Sequence, residues 1–438
     1  MELKIDEDLI KIAKIFAKHD ARLYIIGGFV RNAILGFCET DIDVCSRLLP
    51  EEITKILDKR KYTIKLVNKK LGTVHIKAKD GTFEYEHTTF RAEIYTQGGG
   101  HSPKEVRFVN DMSQDASRRD FTSNAIYYDI LSGEIVDYYN GVADVKNRIL
   151  RTVETPEFVF SRDGLRILRM VRIANELGFE IDAHTFEVAK KLSYQLNDIS
   201  QERFNKEIVA ILFADYKYDA IENTKAHLKG LEQIGKLHAW EYVLPKFTEI
   251  VGRERVKELY QNEWQDLINR AHPALRISAF VLDVCRSLKI DTTKPVVFAI
   301  LGTGGMMLNK QECEHQYRLI LAFERVRKGE IFSEETGRMF LQENHSFLTE
   351  LFALLELAHI GVNLARTYKI MQVDKVPFSI KQLKINGCIL AENLPEIEKV
   401  YYSKILNTLL NRCAIMPELN KQELLINCAK QIYIELKK

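Results

Sequence analysis

The chain has 438 residues, 46% hydrophobic and 28% charged, and its 63 Lys and Arg against 61 Asp and Glu leave a net charge of +2. That composition excludes a disordered or low-complexity protein, and the balance of charge excludes a globally basic body, so any polyanion has to meet a local patch. About two to four domains fit the length, and seven scattered cysteines without a CxxC pair suit a reducing cytoplasm rather than a disulfide framework or structural zinc.

The first 20 residues alternate charge with apolar side chains at helical spacing and lack the unbroken apolar core of a signal peptide. His19-Asp20 falls at the end of that predicted helix as a surface pair. No later run approaches the ~20 apolar residues of a membrane span. Leu23–Ile26 is a short apolar run ending in Gly27-Gly28, followed by a helix-like segment Phe29–Leu35 closed by Gly36. Asp41–Cys45 reads as a strand, and Pro50-Glu51-Glu52 opens another helix. Val74–Ala78 and Phe83–Phe90 alternate on either side of Asp80-Gly81, which predicts a hairpin. Glycines 98, 99 and 100 mark a mobile loop before a strand at Val106–Val109. A mixed α/β domain with a small sheet, ending near Leu150, accounts for this first part.

From Pro156 onward the pattern is almost entirely helical, with Gly and Pro sparse. Arg162–Leu177 reads as one helix stopped by Gly178, and a break is evident at Asp291–Pro295. Gly361 to Lys438 carries 12 Lys and Arg against 7 Asp and Glu, a net of +5, which leaves −3 for the rest of the chain. Such a basic end is either a polyanion contact or a solvated helix face.

Asp41-Ile42-Asp43 is the centre of the chemistry. On a strand, residues two apart share a face, with Cα atoms roughly 6.5–7 Å apart. Two carboxylates so placed suit hard cations such as Mg²⁺, which also accepts phosphate oxygens; an isolated DxD is equally at home in a turn or a solvated edge. Gly27 and Gly28 let backbone amides approach a phosphate at a helix N-terminus, and Arg31 adds donors one turn on, although strand-to-helix turns also use glycine for steric reasons. Glu84 and Glu86 share a face opposite Phe83, Tyr85 and His87, which makes Glu86 a candidate third acid or an exposed strand glutamate. Arg118, Arg119, Asp120 and Asn124 suit a triphosphate and ribose hydroxyls, while Asp120 is also a candidate helix N-cap. Arg162, Asp163, Arg166 and Arg169 decorate one side of the predicted helix, where Asp163 and Arg166, three apart, read as a surface ion pair.

GGFVRNAILG, DIDV, FEYEHTTFR, RRDFTSNAIYYD, IVDYYNGVADVKNRILRTVETP, RDGLRILRMVRIANELGF and QERFNKEI stand in this order along the chain. In that order they resemble the class II tRNA nucleotidyltransferases: CCA-adding enzymes and related bacterial poly(A) polymerases of the polymerase-β superfamily. The resemblance is dense over roughly the first half; LKINGCILAE at Leu383–Glu392 is a weaker echo of a late motif. It departs at Arg162, where the family carries Glu, and in the loop GGGHSP.

The resemblance implies an α/β nucleotidyltransferase head (1–150), a helical neck that reads the base (151–215), a helical body (216–360) and a basic helical tail that binds tRNA (361–438). It implies Gly27, Gly28 and Arg31 as triphosphate contacts, Asp41 and Asp43 as metal ligands for Mg²⁺, and Glu86 as the third acid. Arg119, Asp120 and Asn124 match the ribose motif, and Asp163 and Arg166 the base-reading pair, with Arg169 on the same helix facing the nucleotide. Glu202, Arg203 and Glu207 match the motif that braces that pair. The implied activity is template-independent addition of CCA to tRNA from CTP and ATP in the cytoplasm. Alternatives are a poly(A) polymerase, a partial CC- or A-adding enzyme, and an inactive RNA-binding relative.

Overall fold

Amphipathic spacing in the first 20 residues folds as α1 (Glu7–Ala17), capped by Asp6 and burying Leu9, Ile12, Ala13 and Phe16. His19-Asp20 lies beyond its end, in a turn where Asp20 takes φ 54°, so the pair is not on the helix as expected. The computed structural model describes the chain apart from residues 1–2, 4, 38–40, 95–102, 219–224, 261–266, 331 and 438. Two units emerge: Met1–Trp264 with Ala299–Met307, and Gln265–Phe298 with Leu308–Lys438.

The first unit holds a seven-stranded sheet built from β1 (Tyr24–Ile26), β2 (Asp43–Ser46), β3 (Tyr62–Asn68), β4 (Thr73–Ala78), β5 (Glu84–Thr89), β8 (Ile126–Asp129) and β9 (Ile135–Asp137). Its order is β3-β4-β5-β2-β1-β8-β9, with β2 and β5 parallel and the other neighbours antiparallel. Between β5 and β8 the chain makes a separate ribbon of β6 (Arg91–Ile94) and β7 (Glu105–Phe108). The glycines at 98–100 lie outside the described residues. Short helices α2 (Gly28–Ile34), α3 (Pro50–Ile56), α4 (Met112–Ser117) and α5 (Gly141–Lys146) connect the strands.

Period-2 burial decides what each face carries. Val44 and His87 pair in register and are buried on one face, where the His87 ring lies 5.8 Å from Phe16 of α1. Tyr127, Ile26, Asp43, Glu86 and His75 stand opposite one another on successive strands and occupy the other face. There Ile26, Cys45 and Tyr127 pack with Ala116 of α4 and leave the carboxylates at the open part of the row.

Beyond Leu150 the unit is helical: α6 (Pro156–Arg162), α7 (Leu165–Leu177), α8 (Ala183–Lys191), α9 (Gln201–Leu212) and α10 (Ala226–Lys236). A two-residue parallel pairing of β10 (Ile149–Leu150) with β11 (Glu180–Ile181) interrupts the run. Gly178 ends α7 in the left-handed region at φ 65°, as its position predicts. The expected single helix over Arg162–Leu177 is two helices, because Asp163 is extended (φ −149°, ψ 104°) and its carboxylate accepts from the Leu165 amide at 3.1 Å.

Among its described residues the second unit is helical, and the break expected at Asp291–Pro295 is confined to Asp291–Thr293, with Pro295 in the first turn of helix Lys294–Leu301, which follows helix Arg276–Ser287. Its last three helices, Gly387–Asn393, Tyr402–Ile415 and Gln422–Leu436, pack around Leu390, Ile405, Leu409, Cys413, Leu425 and Ile432. The six described cysteines are free thiols, and among the described residues no helix is long and apolar enough to cross a membrane.

Candidate active site

The acids come from two adjacent strands. Asp43 opens β2, paired with Ile26 on one side and Glu86 on the other. Asp41 is exposed and precedes the strand, so the expectation that both aspartates alternate on one strand holds only for Asp43. Pairing with β1 and β5 begins at Asp43, and nothing in the ladder orders Asp41. Partial loss of water, then the like charge of Asp41 and of Glu86, pushes the Asp43 carboxyl up to about 6, with Arg119 opposing. Repulsion of that kind marks a place where a cation is welcome. Glu86 in turn accepts from His75 Nε2 at 3.2 Å, while His75 Nδ1 meets Glu84 at 2.7 Å.

Beside the acids, β1 turns into α2 through Gly27, whose φ of 77° and ψ of −133° suit a residue without Cβ. Arg31 sits one turn into α2 and is buried at 7% exposure. Its Nε donates to Asn32 Oδ1 at 3.0 Å and its Nη1 to Asn124 Oδ1 at 2.7 Å. Both of these partners are neutral amides, the Tyr218 hydroxyl is a further neutral contact, and Glu176 and Asp120 act on the charge without forming an ion pair among the described residues.

The ribose-motif residues are held in a different way. Asp115, buried on α4, receives Arg118 Nη2 at 2.7 Å, Arg119 Nη2 at 3.0 Å and the Tyr127 hydroxyl at 2.7 Å. Burial opposes its charge, but Arg118 and Arg119 outweigh that and hold the carboxyl well below the usual range. Asp120 does not cap a helix as one expectation had it: the following 3₁₀ turn Thr122–Asn124 has no side-chain cap, and Asp120 is claimed by other donors. Its Oδ1 accepts from Phe121 N at 2.8 Å and Asn124 Nδ2 at 3.2 Å, and its Oδ2 from Arg169 Nε at 3.0 Å and Nη2 at 2.7 Å. Burial again opposes the charge, and Arg169 then Arg166 overcome it and depress the pKa.

Asp163 and Arg166 are not the surface ion pair that their spacing suggests. Asp163 Oδ2 accepts from Arg203 Nη2 at 2.6 Å, across from α9. Arg166 donates to Arg118 O at 2.6 Å and Val159 O at 3.3 Å. The pair is therefore held by separate partners. Arg162, at the end of α6, lies over the Phe158 ring at 3.7 Å from its centroid. Glu207 accepts from Arg172 Nε at 2.6 Å, whereas Glu202 lies out on the surface near Lys206 at 3.6 Å. Of the three residues of this motif, Arg203 alone reaches Asp163 directly; Glu207 braces α7 through Arg172.

Gly164 makes the break possible: a Cβ there would collide with the backbone carbonyl of Gln195. Gly164→Ala is expected to cost about 1–3 kcal/mol by overpacking, read as a lower unfolding midpoint, because backbone rather than a flexible side chain has to move. Sequence reasoning missed Asp115, Tyr127, Asn32 and Tyr218. Asp115 stands three and four residues before Arg118 and Arg119, a helical spacing that was there to be read; Tyr218 has no local signal.

Comparison with known proteins bears directly on this geometry. The family model for the poly A polymerase head domain matches residues 23–151, and the one for the probable RNA and SrmB- binding site of polymerase A matches residues 178–250. A CCA-adding enzyme of Bacillus pumilus (strain SAFR-032) is 33% identical over 289 residues, 62% of this chain and 70% of the relative. The chain belongs to the CCA-adding enzyme family. The CCA-adding enzyme of Ligilactobacillus salivarius (strain UCC118) extends the match to 423 residues at 28% identity, 94% of this chain and 93% of the relative. The Bacillus stearothermophilus CCA-adding enzyme, solved in complex with CTP, shares the fold with a TM-score of 0.70 at 22% identity over 98% of each chain. The CCA-adding enzyme fold thus spans both the α/β head and the helical remainder.

Proposed function

We propose that the chain is a template-independent tRNA nucleotidyltransferase that adds C, C and A to the tRNA 3′ end from CTP and ATP, releasing pyrophosphate. One observation carries the reading: in a member of this family, the Asp41, Asp43 and Glu86 acids stand near a glycine turn and a buried Arg31 that has no carboxylate partner among the described residues. A buried cation with neutral partners favours an anion, and repelling carboxylates favour a cation. A nucleoside triphosphate with its divalent ion satisfies both.

Asp41 and Asp43 would hold Mg²⁺, with Glu86 assisting. Among the described residues no group of three or more His, Cys, Asp or Glu converges to hold an ion, so phosphate and water oxygens would complete the shell, as Mg²⁺ prefers. When bound, the ion stabilises charge at the α-phosphate and favours ionisation of the RNA 3′-hydroxyl. The chain's own residues bind and orient: Gly27, Gly28 and Arg31 take the triphosphate, and Arg119, Asp120 and Asn124 the ribose side.

Base choice falls to Asp163 and Arg166. Cytosine and adenine each present an amino donor beside a ring-nitrogen acceptor, and uracil and guanine present the reverse. A carboxylate next to a guanidinium therefore accepts C and A, and a mismatch leaves buried polar groups unpaired at about 1–3 kcal/mol each. Residues 1–150 serve as head and 151–215 as neck, while 216–360 and the basic 361–438 recognise tRNA by shape and backbone charge in the cytoplasm.

The test is a gel that resolves single additions to a tRNA ending before CCA, with labelled CTP and ATP. The expected result is two C and one A, abolished by EDTA and restored by Mg²⁺. Long runs of A alone on many RNAs, or no incorporation, would overturn it.

A further inference from the structure

Arg31 is aimed by amides, and amides have two ends. Asn32 and Asn124 both turn their oxygens to the guanidinium, so each NH₂ needs an acceptor elsewhere. For Asn124 that acceptor is Asp120 at 3.2 Å, already assigned to the ribose side. For Asn32 it is the hydroxyl of Tyr218 at 3.0 Å, 186 residues further along the chain.

Tyr218 follows the 3₁₀ turn Ala214–Tyr216 and stacks on Phe37, which lies just past α2, with ring centroids 5.3 Å apart and planes 20° apart. The stack holds the phenol against the far end of the helix that carries Arg31. Asn32 is fully buried, so an amide turned the other way would point its NH₂ at a buried guanidinium with no water to relieve the clash of donors. The Tyr218 oxygen favours the correct orientation, and its own charge interaction and hydrogen bond with Arg31 support the guanidinium against burial.

We propose that Tyr218, directly and through Asn32, is a positioning residue for Arg31, by which the segment after α9 sets the triphosphate end of the site. The inference rests on the assignment of Arg31 to the triphosphate. Because the phosphates are common to both substrates, the effect is blind to the base. Asp163 and Arg166 belong to a different set of contacts and stay as they are.

The experiment measures binding of CTP, ATP and inorganic tripolyphosphate, with steady-state kinetics, on the full chain. Tyr218→Phe keeps the ring stack and removes the hydroxyl that meets Asn32 and Arg31. It is expected to weaken all three ligands by one common factor, about five- to tenfold, with the KM values rising in step, kcat and the rejection of UTP unchanged, and the unfolding midpoint preserved. In an Arg31→Ala background the same change should have no further effect, since its route is gone. Tyr218→Leu, which also loses the stack, should show at least the same loss. Parent-like binding of tripolyphosphate by Tyr218→Phe, or a loss confined to one nucleotide, would overturn the inference while leaving the assigned activity standing. If the parent binds neither nucleotide nor tripolyphosphate, the triphosphate assignment itself falls and takes this inference with it.

Discussion

Asp43→Asn is expected to lower transfer of both CTP and ATP by at least about a thousandfold while tRNA binding is retained. The magnitude follows from the several kcal/mol that a correctly held divalent ion contributes to a phosphoryl-transfer transition state, at about 1.4 kcal/mol per tenfold. The same substitution should raise stability in metal-free buffer. Loss of water and the charges of Asp41 and Glu86 lift the folded carboxyl from 3.8 to about 6. The folded chain therefore binds this proton more tightly than the unfolded chain, and stability is lost as pH rises from about 4 through about 6. Asparagine carries no such charge, so the variant should melt above the parent at pH 7 and 8 and equal it below pH 4. Solvent reaches Asp43, so screening keeps the gap below about 1 kcal/mol. Added Mg²⁺ should reverse the order, stabilising the parent by mass action and the variant far less. Transfer by Asp43→Asn near the parent rate would remove the acid from the site.

How far the sequence carries depends on whether a signal is local. The Gly27-Gly28 turn, the β4–β5 hairpin around Asp80-Gly81 and the Gly178 stop rest on backbone preferences of adjacent residues, and each stands where its composition puts it. Strand β3, YTIKLVN, alternates at Tyr62, Ile64 and Leu66, but it sits at the sheet edge where Leu66 and Val67 stay exposed, so the pattern fades before the strand ends. The helix break at Asp163-Gly164 was hidden by apolar residues that keep a helical period on both sides, although Asp-Gly is itself a turn signal. What imposes the break is non-local: the approach to Gln195 and the grip of Arg203. The network from Asp120 through Asn124, Arg31 and Asn32 to Tyr218 lies further out of reach. Any one of its members reads as an ordinary polar residue, and only folding shows that each satisfies the next.

Asp163→Asn is expected to shift base choice more than any other single change, because it puts a donor where the carboxylate carries only acceptors. Arg203 donates to Asp163 Oδ2 at 2.6 Å and the Leu165 amide to Oδ1 at 3.1 Å, so each carboxylate oxygen has its own donor. Asparagine has one oxygen to give, which goes to the charged Arg203 fork, so its NH₂ replaces Oδ1. A donor then stands where the carboxylate offered an acceptor. Opposite cytosine or adenine it meets an amino group, two donors facing each other with little water between; opposite uracil or guanine it meets a carbonyl. Arg166, held by the Arg118 and Val159 carbonyls, still has N–H groups beyond those two bonds and is left in place. Efficiency with CTP should fall about a hundredfold, from one lost charge-assisted hydrogen bond and one buried clash, while UTP stays level or gains. Single-addition gels with each of the four triphosphates would read the ratio directly. Arg203→Met separates the brace from the reader: it frees the carboxylate without changing its chemistry, so it should slow CTP and ATP together and leave UTP and GTP excluded. A parent-like CTP to UTP ratio in Asp163→Asn would mean that some other acceptor meets the amino group of the base, and that the Asp163–Arg203 contact serves only to join α9 to the start of α7.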